Sequence, residues 1–398
     1  MRRVKRSARL THGYLLRHKS LMIEPLTGPQ RIERLMPLAD ALACVERLVA
    51  PVAPRRVGHE RAFGRGLAGD IIFKQARPSS PIALRDGIAL SADATLDASS
   101  YAPVPLPGAP AVVDVGDPLP PGADAVAPLD AVELRGAIVH ALAPLAPGDG
   151  VLPSGADATR DDVLGRQGVR LRATDLAAMA ALDVAHDVAV CEPRVCIATA
   201  SRERPPVIRA IAELLARLVA GAGGRATVAP ADHAGLEAAM AHPEQDAVIL
   251  IGGSGSGRRD RSVIELARLG SVAFHGVGLA PGETAAFGAV AQRPVLIVPG
   301  RLDAALAVWL TLGSRMLARL AGCKADDAGT PVVLARKITS TLGLAELVPV
   351  MREANGVVPL ASGYLPPQAL ARASGFVLVP ADREGFSAGA TVDMRPLP

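Results

Sequence analysis

A buried strand that runs into a glycine-rich loop constrains this sequence more than any other feature. Residues 246–251 read Asp-Ala-Val-Ile-Leu-Ile, and residues 252–257 read Gly-Gly-Ser-Gly-Ser-Gly. A continuous apolar run of this length is typical of a strand that is covered on both faces, as in a parallel sheet. Glycines at its carboxyl end let the backbone turn sharply and present its amides to an anion. The segment therefore predicts an α/β domain that holds a phosphate-bearing ligand at one edge of its sheet.

Strands and helices alternate around this loop from about residue 194 to residue 322. Strands are predicted at 194–198, 227–228, 272–275 and 295–298, and helices at 207–220, 235–241, 262–269 and 302–320. This alternation predicts a doubly wound, mainly parallel sheet. The turn Pro299-Gly300-Arg301 follows a second buried strand, and Pro281-Gly282 forms another turn. We expect these turns and the glycine loop to form one pocket, the alternative being three unrelated tight turns.

The glycine loop matches neither of two common phosphate-binding motifs. It lacks the G-x-G-x-x-G order of a dinucleotide fingerprint, and it does not follow the first strand of its domain. Gly252 and Gly257 have P-loop spacing, but Arg258 stands where that motif requires lysine. The loop alone thus indicates an anion site without naming the ligand.

The remainder of the chain predicts an α/β multidomain protein. The expected units are a basic, disordered arm (1–35), a helical linker domain (36–75 with 150–190), a β-rich inserted domain (76–149), the α/β domain (191–324) and a small C-terminal β-domain (325–398). The inserted and C-terminal units are assigned from short apolar runs that Pro and Gly interrupt. A chain of 398 residues is long enough for roughly two to four such domains.

The positive charge of the chain is concentrated at its N-terminus. Seven basic residues and no acidic residue precede Met22, and subtracting these seven from the net charge of +4 leaves −3 on the rest. A folded basic face for nucleic acid is therefore not expected. The arm is interpreted as a disordered leader, as a transit peptide, or as the product of a start codon placed upstream of a true start at Met22 or Met36.

Two further absences in the sequence favour a cytoplasmic protein that does not bind membranes. No apolar run reaches the roughly 18 residues that a membrane-spanning helix needs. The four cysteines, Cys44, Cys191, Cys196 and Cys323, form no C-x-x-C pair. We expect them to be buried, reduced thiols.

Several ordered segments resemble one known family. Arg85-Asp86-Gly87-Ile88-Ala89 is similar to a Met-Asp-Gly-Tyr-Ala segment, and residues 118–126, Pro-Leu-Pro-Pro-Gly-Ala-Asp-Ala-Val, are similar to Pro-Leu-Pro-x-Gly-Ala-Asp-Ala-Val. The glycine loop is similar to Gly-Gly-Val-Ser-x-Gly, and Pro299-Gly300 begins a turn that is elsewhere Pro-Gly-Asn-Pro. In this order, over about residues 38–397, the chain resembles the MoeA/gephyrin-type molybdopterin molybdenumtransferases.

The resemblance implies a molybdopterin-binding-like central domain in a homodimer that inserts molybdate into adenylated molybdopterin, releases AMP and uses Mg²⁺. It assigns catalytic roles to Asp86, Glu203, Asp232 and Asp260 and metal ligation to Asp86, Glu203 and Asp260. It assigns ligand binding to Gly252, Gly253, Ser254, Gly255, Ser256, Gly257, Pro281, Gly282, Pro299 and Gly300. Arg258 and Arg259 follow the loop and Arg301 begins the neighbouring turn, which makes these three arginines further candidates for ligand binding. Asp260 is expected in the first turn of the helix after the loop, as a metal ligand or pterin contact, with a helix cap as the alternative.

The departures from the family concern charge. Lysines of the family are replaced here by Gly276, Ala280 and Glu283. Arg258, Arg259 and Arg301 either supply that positive charge from new positions or lie in solvent. Three functions therefore stay open: an active molybdenumtransferase, a molybdopterin-binding or cofactor-binding paralogue that does not run the transfer, and a dimeric scaffold.

A chain that begins at Met22 should have the melting temperature and oligomeric state of the full chain. The residues that precede Met22 carry seven positive charges and no periodic apolar pattern, so they should add nothing to a core. Differential scanning calorimetry and sedimentation of both chains test this. A fall of more than a few degrees in the melting temperature would show that the arm contributes to the fold.

Overall fold

The computed structural model describes residues 30–109, 111–184, 187–325 and 327–397. Its α/β domain contains a six-stranded mixed sheet, which confirms the predicted fold class. The strand order is Arg225–Val228, Arg194–Thr199, Ala247–Ile251, Arg293–Val298, Ala286–Val290 and Ser271–His275. The first four strands are parallel, and the last two form an antiparallel extension. The helices of this domain are Pro206–Gly221, Leu236–Met240, Ser262–Leu269, Leu302–Val308 and Ser314–Leu320.

Both faces of this sheet are buried, which is why its central strand is continuously apolar. Side chains alternate between the two faces along a strand. Ile249 joins a core with Leu215 and Phe287 on one face, and Leu250 joins a core with Leu266 on the other. The long helix predicted at 302–320 is interrupted by a π-helical turn, Trp309–Gly313. Gly313 is needed there because a Cβ would lie 2.6 Å from Cε3 of Trp309.

The linker domain departs from its prediction at its first helix, whereas strands from residues 55–72 pair with strands at 163–165 and 187–191. Helix Leu38–Leu48 packs into the core of the α/β domain through Ala41 and Val45, so it does not pair with residues 150–190. A separate small core contains helix Ala173–Ala181 and Met179. The strands of this region are Arg55–Gly58, Gly66–Leu67, Ile71–Ile72, Val163–Gly165 and Asp187–Cys191.

The inserted region is β-rich, as the sequence predicts. Its strands are Ile82–Ala83, Gly87–Leu90, Val104–Pro105, Ala111–Val113, Ala125–Ala127, Val132–Arg135, Ile138–Ala141 and Val151–Leu152. They form short antiparallel sheets of two or three strands.

The C-terminal sheet extends beyond the residues predicted for it. Its local strands are Thr330–Val333, Ala345–Glu353, Gly356–Pro359, Gly375–Val379 and Thr391–Arg395. The domain also contains helix Pro367–Arg372 and a separate two-stranded antiparallel sheet of Ile338–Thr339 and Gly385–Phe386. Val277–Ala280, from the α/β region, pairs in parallel with Ala345–Glu353, and Met36–Pro37 pairs with Val277–Ala280. The glycine-loop domain and the C-terminal domain therefore share a sheet.

The last six residues of the predicted disordered arm, 30–35, are part of the fold. Residues 30–35 lie against the α/β domain, with Gln30 only 2% exposed, so the boundary at residue 35 is corrected. Residues 1–29 lie outside the described ranges. None of the helices in those ranges has the length and apolarity that a membrane crossing needs. The four cysteines are buried and free, as predicted.

The substitution Phe287→Ala should lower the free energy of unfolding by about 3–5 kcal/mol. Phe287 is fully buried and stacks on Phe274 with ring centroids 5.9 Å apart, so the substitution leaves a cavity in the core. Phe63 is 61% exposed, and Phe63→Ala is the matched control, with an expected change within about 0.5 kcal/mol. Urea unfolding measures both. Equal effects of the two substitutions would contradict this assignment of the core.

Candidate functional site

Three parallel strands end side by side next to the glycine loop. Thr199, Ile251 and Val298 are paired in register at the carboxyl edge of the sheet. The loops that follow them are therefore neighbours: a Cβ added to Gly300 would lie 3.8 Å from the Cα of Gly252. The glycine loop and the Pro299–Gly300 turn thus lie together at one edge, as predicted.

The loop backbone requires glycine at its first two positions. Gly252 and Gly253 have φ angles of +88° and +70°, in the left-handed region that side chains disfavour. A Cβ on Gly253 would also lie 2.2 Å from Oγ of Ser262 and 3.0 Å from Cβ of Ala200. Any other residue at position 253 would push the loop away from the helix that follows it.

The carbonyls of residues 252–255 all accept hydrogen bonds from the interior of the protein. The donors are Ser262 Oγ to Gly252 (2.9 Å), Ser262 N to Gly253 (3.0 Å), Gln30 Nε2 to Gly253 (3.1 Å) and Gly255 (2.6 Å), and His275 Nε2 to Ser254 (2.8 Å). The C=O and N–H groups of a planar trans peptide point in opposite directions. The amides of residues 253–256 therefore point away from these donors, and they donate to no acceptor among the described residues.

Four consecutive outward amides are the main chemical feature of this edge. Successive backbone N–H groups form a concavity that binds anions and other acceptor groups. The helix Ser262–Leu269 begins immediately after the loop, and its N-terminus adds positive partial charge. The arrangement can hold a phosphate, or the carbonyl and ring-nitrogen acceptors of a heterocycle.

The turn after Pro281-Gly282 also reaches this loop, so the third predicted loop joins the other two. Ser254 is 2% exposed, and its Oγ lies 3.1 Å from Oγ1 of Thr284. The Ser254 side chain is thus bonded inside the protein, and its amide, although unpaired, is also buried. Pro281 and Gly282 are buried as well.

His275 is a loop-supporting residue that the motif analysis did not single out. Since its Nε2 bonds to the Ser254 carbonyl, that nitrogen carries the hydrogen. Burial lowers the pKa of His275, partly offset by bonds to the carbonyls of Ser254 and Arg31. The ring is therefore neutral at pH 7 and adds no charge to the site.

Asp260 does not occupy its predicted position. The helix begins at Ser262 with Arg261 at its N-cap, and no side chain caps it, so Asp260 lies neither in the first turn nor at the cap. Its Oδ2 instead accepts the Gly257 amide at 2.9 Å. Its backbone amide bonds back to the Gly257 carbonyl at 3.0 Å. Asp260 therefore closes the end of the loop.

The structure does not gather the predicted carboxylates into a metal site. Asp86 lies in the inserted domain and accepts the Val115 amide at 2.8 Å, whereas Glu203 and Asp232 are exposed residues of the α/β domain. A hydrogen bond from His233 lowers the pKa of Asp232. Among the described residues no three His, Cys, Asp or Glu side chains could hold a metal ion together. Asp86, Glu203 and Asp260 therefore do not form one three-carboxylate group within the described part of this chain.

The three arginines differ in what they can offer an anion. Arg301 bonds to both carboxylate oxygens of Asp303 (3.1 and 2.5 Å) and lies over the ring of Tyr364. Its charge is thus paired with a carboxylate that is only 2% exposed. Arg258 and Arg259 are exposed and have no ion-pair partner in the described part of the chain. Arg301 is therefore not free to replace the positive charge of the missing lysines. Arg258 and Arg259 remain available to bind an anion.

None of the three residues that replace the family's lysines, Gly276, Ala280 and Glu283, carries a positive charge. Gly276 has a φ of +94°, and a Cβ there would lie 2.5 Å from Cγ2 of Ile32. Glu283 accepts the Gly282 amide at 3.0 Å and raises the pKa of Arg301, although Asp303 does so more strongly. The loop amides are thus the principal fixed positive partial charges on this edge.

The fold and the loop together define a class: multidomain α/β proteins whose amide-lined turn can hold an anion or another acceptor group. Comparison with known families agrees. Residues 36–182 match the "MoeA N-terminal region (domain I and II)", and residues 209–319 match the "Probable molybdopterin binding domain". The chain belongs to the MoeA-type family of molybdenum cofactor biosynthesis proteins.

Similar proteins extend over almost the whole chain. A protein of Methanocaldococcus jannaschii that carries the name of a molybdopterin biosynthesis protein is 25% identical, over 91% of this chain and 98% of its own. A crystal structure of the molybdopterin biosynthesis MoeA protein of Pyrococcus horikoshii is 26% identical with a TM-score of 0.72, over 91% of this chain and 99% of its own. A second structure of MoeA from that organism, at 24% identity and a TM-score of 0.70, covers 92% of this chain and 100% of its own.

The substitution Arg301→Ala should lower the free energy of unfolding by about 1.5–3 kcal/mol, the usual worth of a hydrogen bond to a charged group. It leaves the buried Asp303 carboxylate with only the Leu365 amide, at 3.2 Å. Arg258→Ala and Arg259→Ala, at exposed positions, should change stability by no more than about 0.5 kcal/mol. Chemical unfolding of the three variants provides the comparison. If Arg301→Ala were as neutral as the other two, Arg301 would be free to bind an anion after all.

Proposed function

We propose that this protein binds molybdopterin on the amides of residues 253–256 and holds it during assembly of the molybdenum cofactor. The observation that carries the proposal is the row of four outward amides, each aimed by a carbonyl that is bonded inside the protein. These amides suit the acceptor atoms of a pterin and its phosphate. The membership of the family and its molybdopterin-binding domain support this choice of ligand.

The electrostatics of the edge favour binding over the complete transfer reaction. Arg301 is paired with Asp303, and Glu283 adds negative charge near it. An adenylated ligand spreads its charge over two phosphate groups where molybdopterin has one, so it would need donors beyond the four loop amides, which here are the exposed Arg258 and Arg259. We therefore place non-adenylated molybdopterin, or the finished cofactor, ahead of the adenylated form.

The second candidate is the reaction that the resemblance implies: insertion of molybdate into adenylated molybdopterin with release of AMP. Its supporting observation is that Glu203 and Asp232 are exposed carboxylates on the α/β domain, with Asp232 ionised at neutral pH because its pKa is lowered. As the described residues form no metal cluster, we derive no step through magnesium. The implied homodimer and cytoplasmic location belong to this proposal as well.

One assay separates the two candidates. The purified protein is incubated either with molybdopterin alone or with adenylated molybdopterin, molybdate and Mg²⁺, and the AMP released in the second reaction is quantified by chromatography. Molybdopterin that stays bound after gel filtration is quantified as its fluorescent oxidation product. Retention of the pterin without release of AMP supports the binding function, and turnover of AMP supports the transferase. Neither retention nor turnover would leave the scaffold interpretation and refute both candidates.

The substitution Ser256→Pro should weaken binding of molybdopterin by about tenfold to a hundredfold, because proline removes one of the four amides. One hydrogen bond to a charged group is worth about 1.5–3 kcal/mol, which corresponds to that range. Ser256 is exposed, so the core is not disturbed. Ser256→Ala keeps the amide and is the matched control.

Calorimetric titration of molybdopterin into both variants makes the comparison, with the melting temperature as the check on folding. The same loss in Ser256→Ala would assign the contact to the hydroxyl instead of the amide. No loss in either variant would show that this amide does not bind the ligand.

A further inference from the structure

The N-terminal segment of residues 30–35, which we call the strap, lies directly against the glycine loop. Gln30 and the loop are 223 to 225 residues apart in the chain, yet the Gln30 side chain is almost fully buried among loop atoms, with 2% exposure. A buried polar side chain costs free energy unless its hydrogen bonds are made. Gln30 makes three.

These three bonds connect Gln30 both to the glycine loop and to the start of the helix Ser262–Leu269. Nε2 of Gln30 donates to the carbonyls of Gly253 (3.1 Å) and Gly255 (2.6 Å), and Oε1 accepts the amide of Val263 (3.0 Å). Val263 lies in the first turn of the helix Ser262–Leu269. One side chain therefore holds the loop carbonyls inward and satisfies an otherwise free amide at the helix N-terminus.

The bonds of Gln30 determine where two ligand-facing amides point. The carbonyl of Gly253 belongs to the same peptide unit as the amide of Ser254, and the carbonyl of Gly255 to the same unit as the amide of Ser256. Since each unit is planar and trans, capture of the carbonyls turns the two amides outward. Ser262 also bonds the Gly253 carbonyl, but Gln30 is the only donor to the Gly255 carbonyl among the described residues.

The rest of the strap is fixed against Gly276. A Cβ on Gly276 would lie 2.5 Å from Cγ2 of Ile32 and 3.1 Å from Cδ2 of Leu35, so these two side chains occupy the space that a larger residue at 276 would need. The Met36 amide then bonds to the Gly276 carbonyl at 3.1 Å, and Met36 pairs with Val277 in the shared sheet. The strap is therefore anchored at both of its ends.

We infer that the strap sets the glycine loop in its ligand-binding conformation and that Gln30 is a positioning residue for the ligand. This inference rests on the proposed binding of molybdopterin at the loop. Gln30 does not touch the ligand; it acts by orienting the amides of Ser254 and Ser256.

The full-length variants Gln30→Ala and Gln30→Glu test this inference, with Glu33→Ala as the control. Glu33 lies on the same strap, is exposed and makes no hydrogen bond or ion pair among the described residues. Alanine removes all three bonds. Glutamate keeps an acceptor for the Val263 amide but places an oxygen against the carbonyls of Gly253 and Gly255. It therefore removes the two bonds to the loop while keeping the bond to the helix.

Two readouts are measured on each variant: calorimetric titration of molybdopterin, and backbone hydrogen exchange of residues 253–263. We expect at least tenfold weaker binding in both Gln30 variants, and unchanged binding in Glu33→Ala. Exchange of the Val263 amide should be faster in Gln30→Ala, but close to wild type in Gln30→Glu. The Met22-start chain retains the strap and should behave as wild type, whereas a chain that begins at Met36 lacks the strap and should behave as Gln30→Ala.

The outcomes keep this inference distinct from the proposed function. Wild-type binding affinity in the Gln30 variants would overturn the role of the strap while leaving the proposed function intact. If the wild-type protein bound no molybdopterin, the proposed function would fail. The exchange rates would then decide on their own whether Gln30 orders the loop, with unchanged exchange in Gln30→Ala refuting it.

Discussion

The inward capture of four loop carbonyls is the constraint on which the candidate site depends. A peptide unit cannot present its carbonyl and its amide to the same side. The donors to residues 252–255 come from three separate places in the chain, namely Gln30, Ser262 and His275. Because these donors sit beneath the loop, the amides of residues 253–256 are left facing outward. The ligand-binding property therefore results from bonds that the ligand never contacts.

The shared sheet explains why those donors are in place. The strand Ser271–His275 ends beside the loop with His275, and the chain then continues as Val277–Ala280 into the C-terminal sheet. Met36–Pro37 pairs with that same strand and brings the strap up to the loop. The domain that binds the ligand and the domain that follows it are thus coupled through a few backbone hydrogen bonds next to the site. Because Gly276 has no side chain, Ile32 and Leu35 of the strap can pack directly against it.

The sequence predicted the parts of this site that have a local signal. Ala247–Ile251 is five consecutive buried residues before glycines, and helix Ser262–Leu269 was predicted at its observed bounds. Val277–Ala280 was missed because it is short, contains glycine, and takes its partners from distant parts of the chain. Gln30 carries no local signal at all, since only the folded structure shows it to be buried. Asp260 was predicted inside the first helical turn but lies two residues before Ser262, because nothing in the sequence reveals its bond to the Gly257 amide.

The charged residues at the site differ from the pattern that the resemblance implies for the family. Its lysine positions are occupied by Gly276, Ala280 and Glu283, and the one arginine that begins a neighbouring turn is bound to Asp303. Under the proposed function, binding would rely on oriented backbone dipoles, which act only at short range and only in a fixed geometry. This makes the rigidity of the loop more important here than the net charge around it.

Amide NMR of residues 253–256, recorded with and without molybdopterin, tests the central claim most directly. The account predicts that the amides of Gly253, Gly255 and Ser256, which are not buried, exchange rapidly with solvent in the free protein, and that all four amides shift when molybdopterin is added. Slow exchange of those three amides in the free protein would show that they already have partners. Ligand-induced changes located elsewhere in the chain, with these four unaffected, would contradict the site.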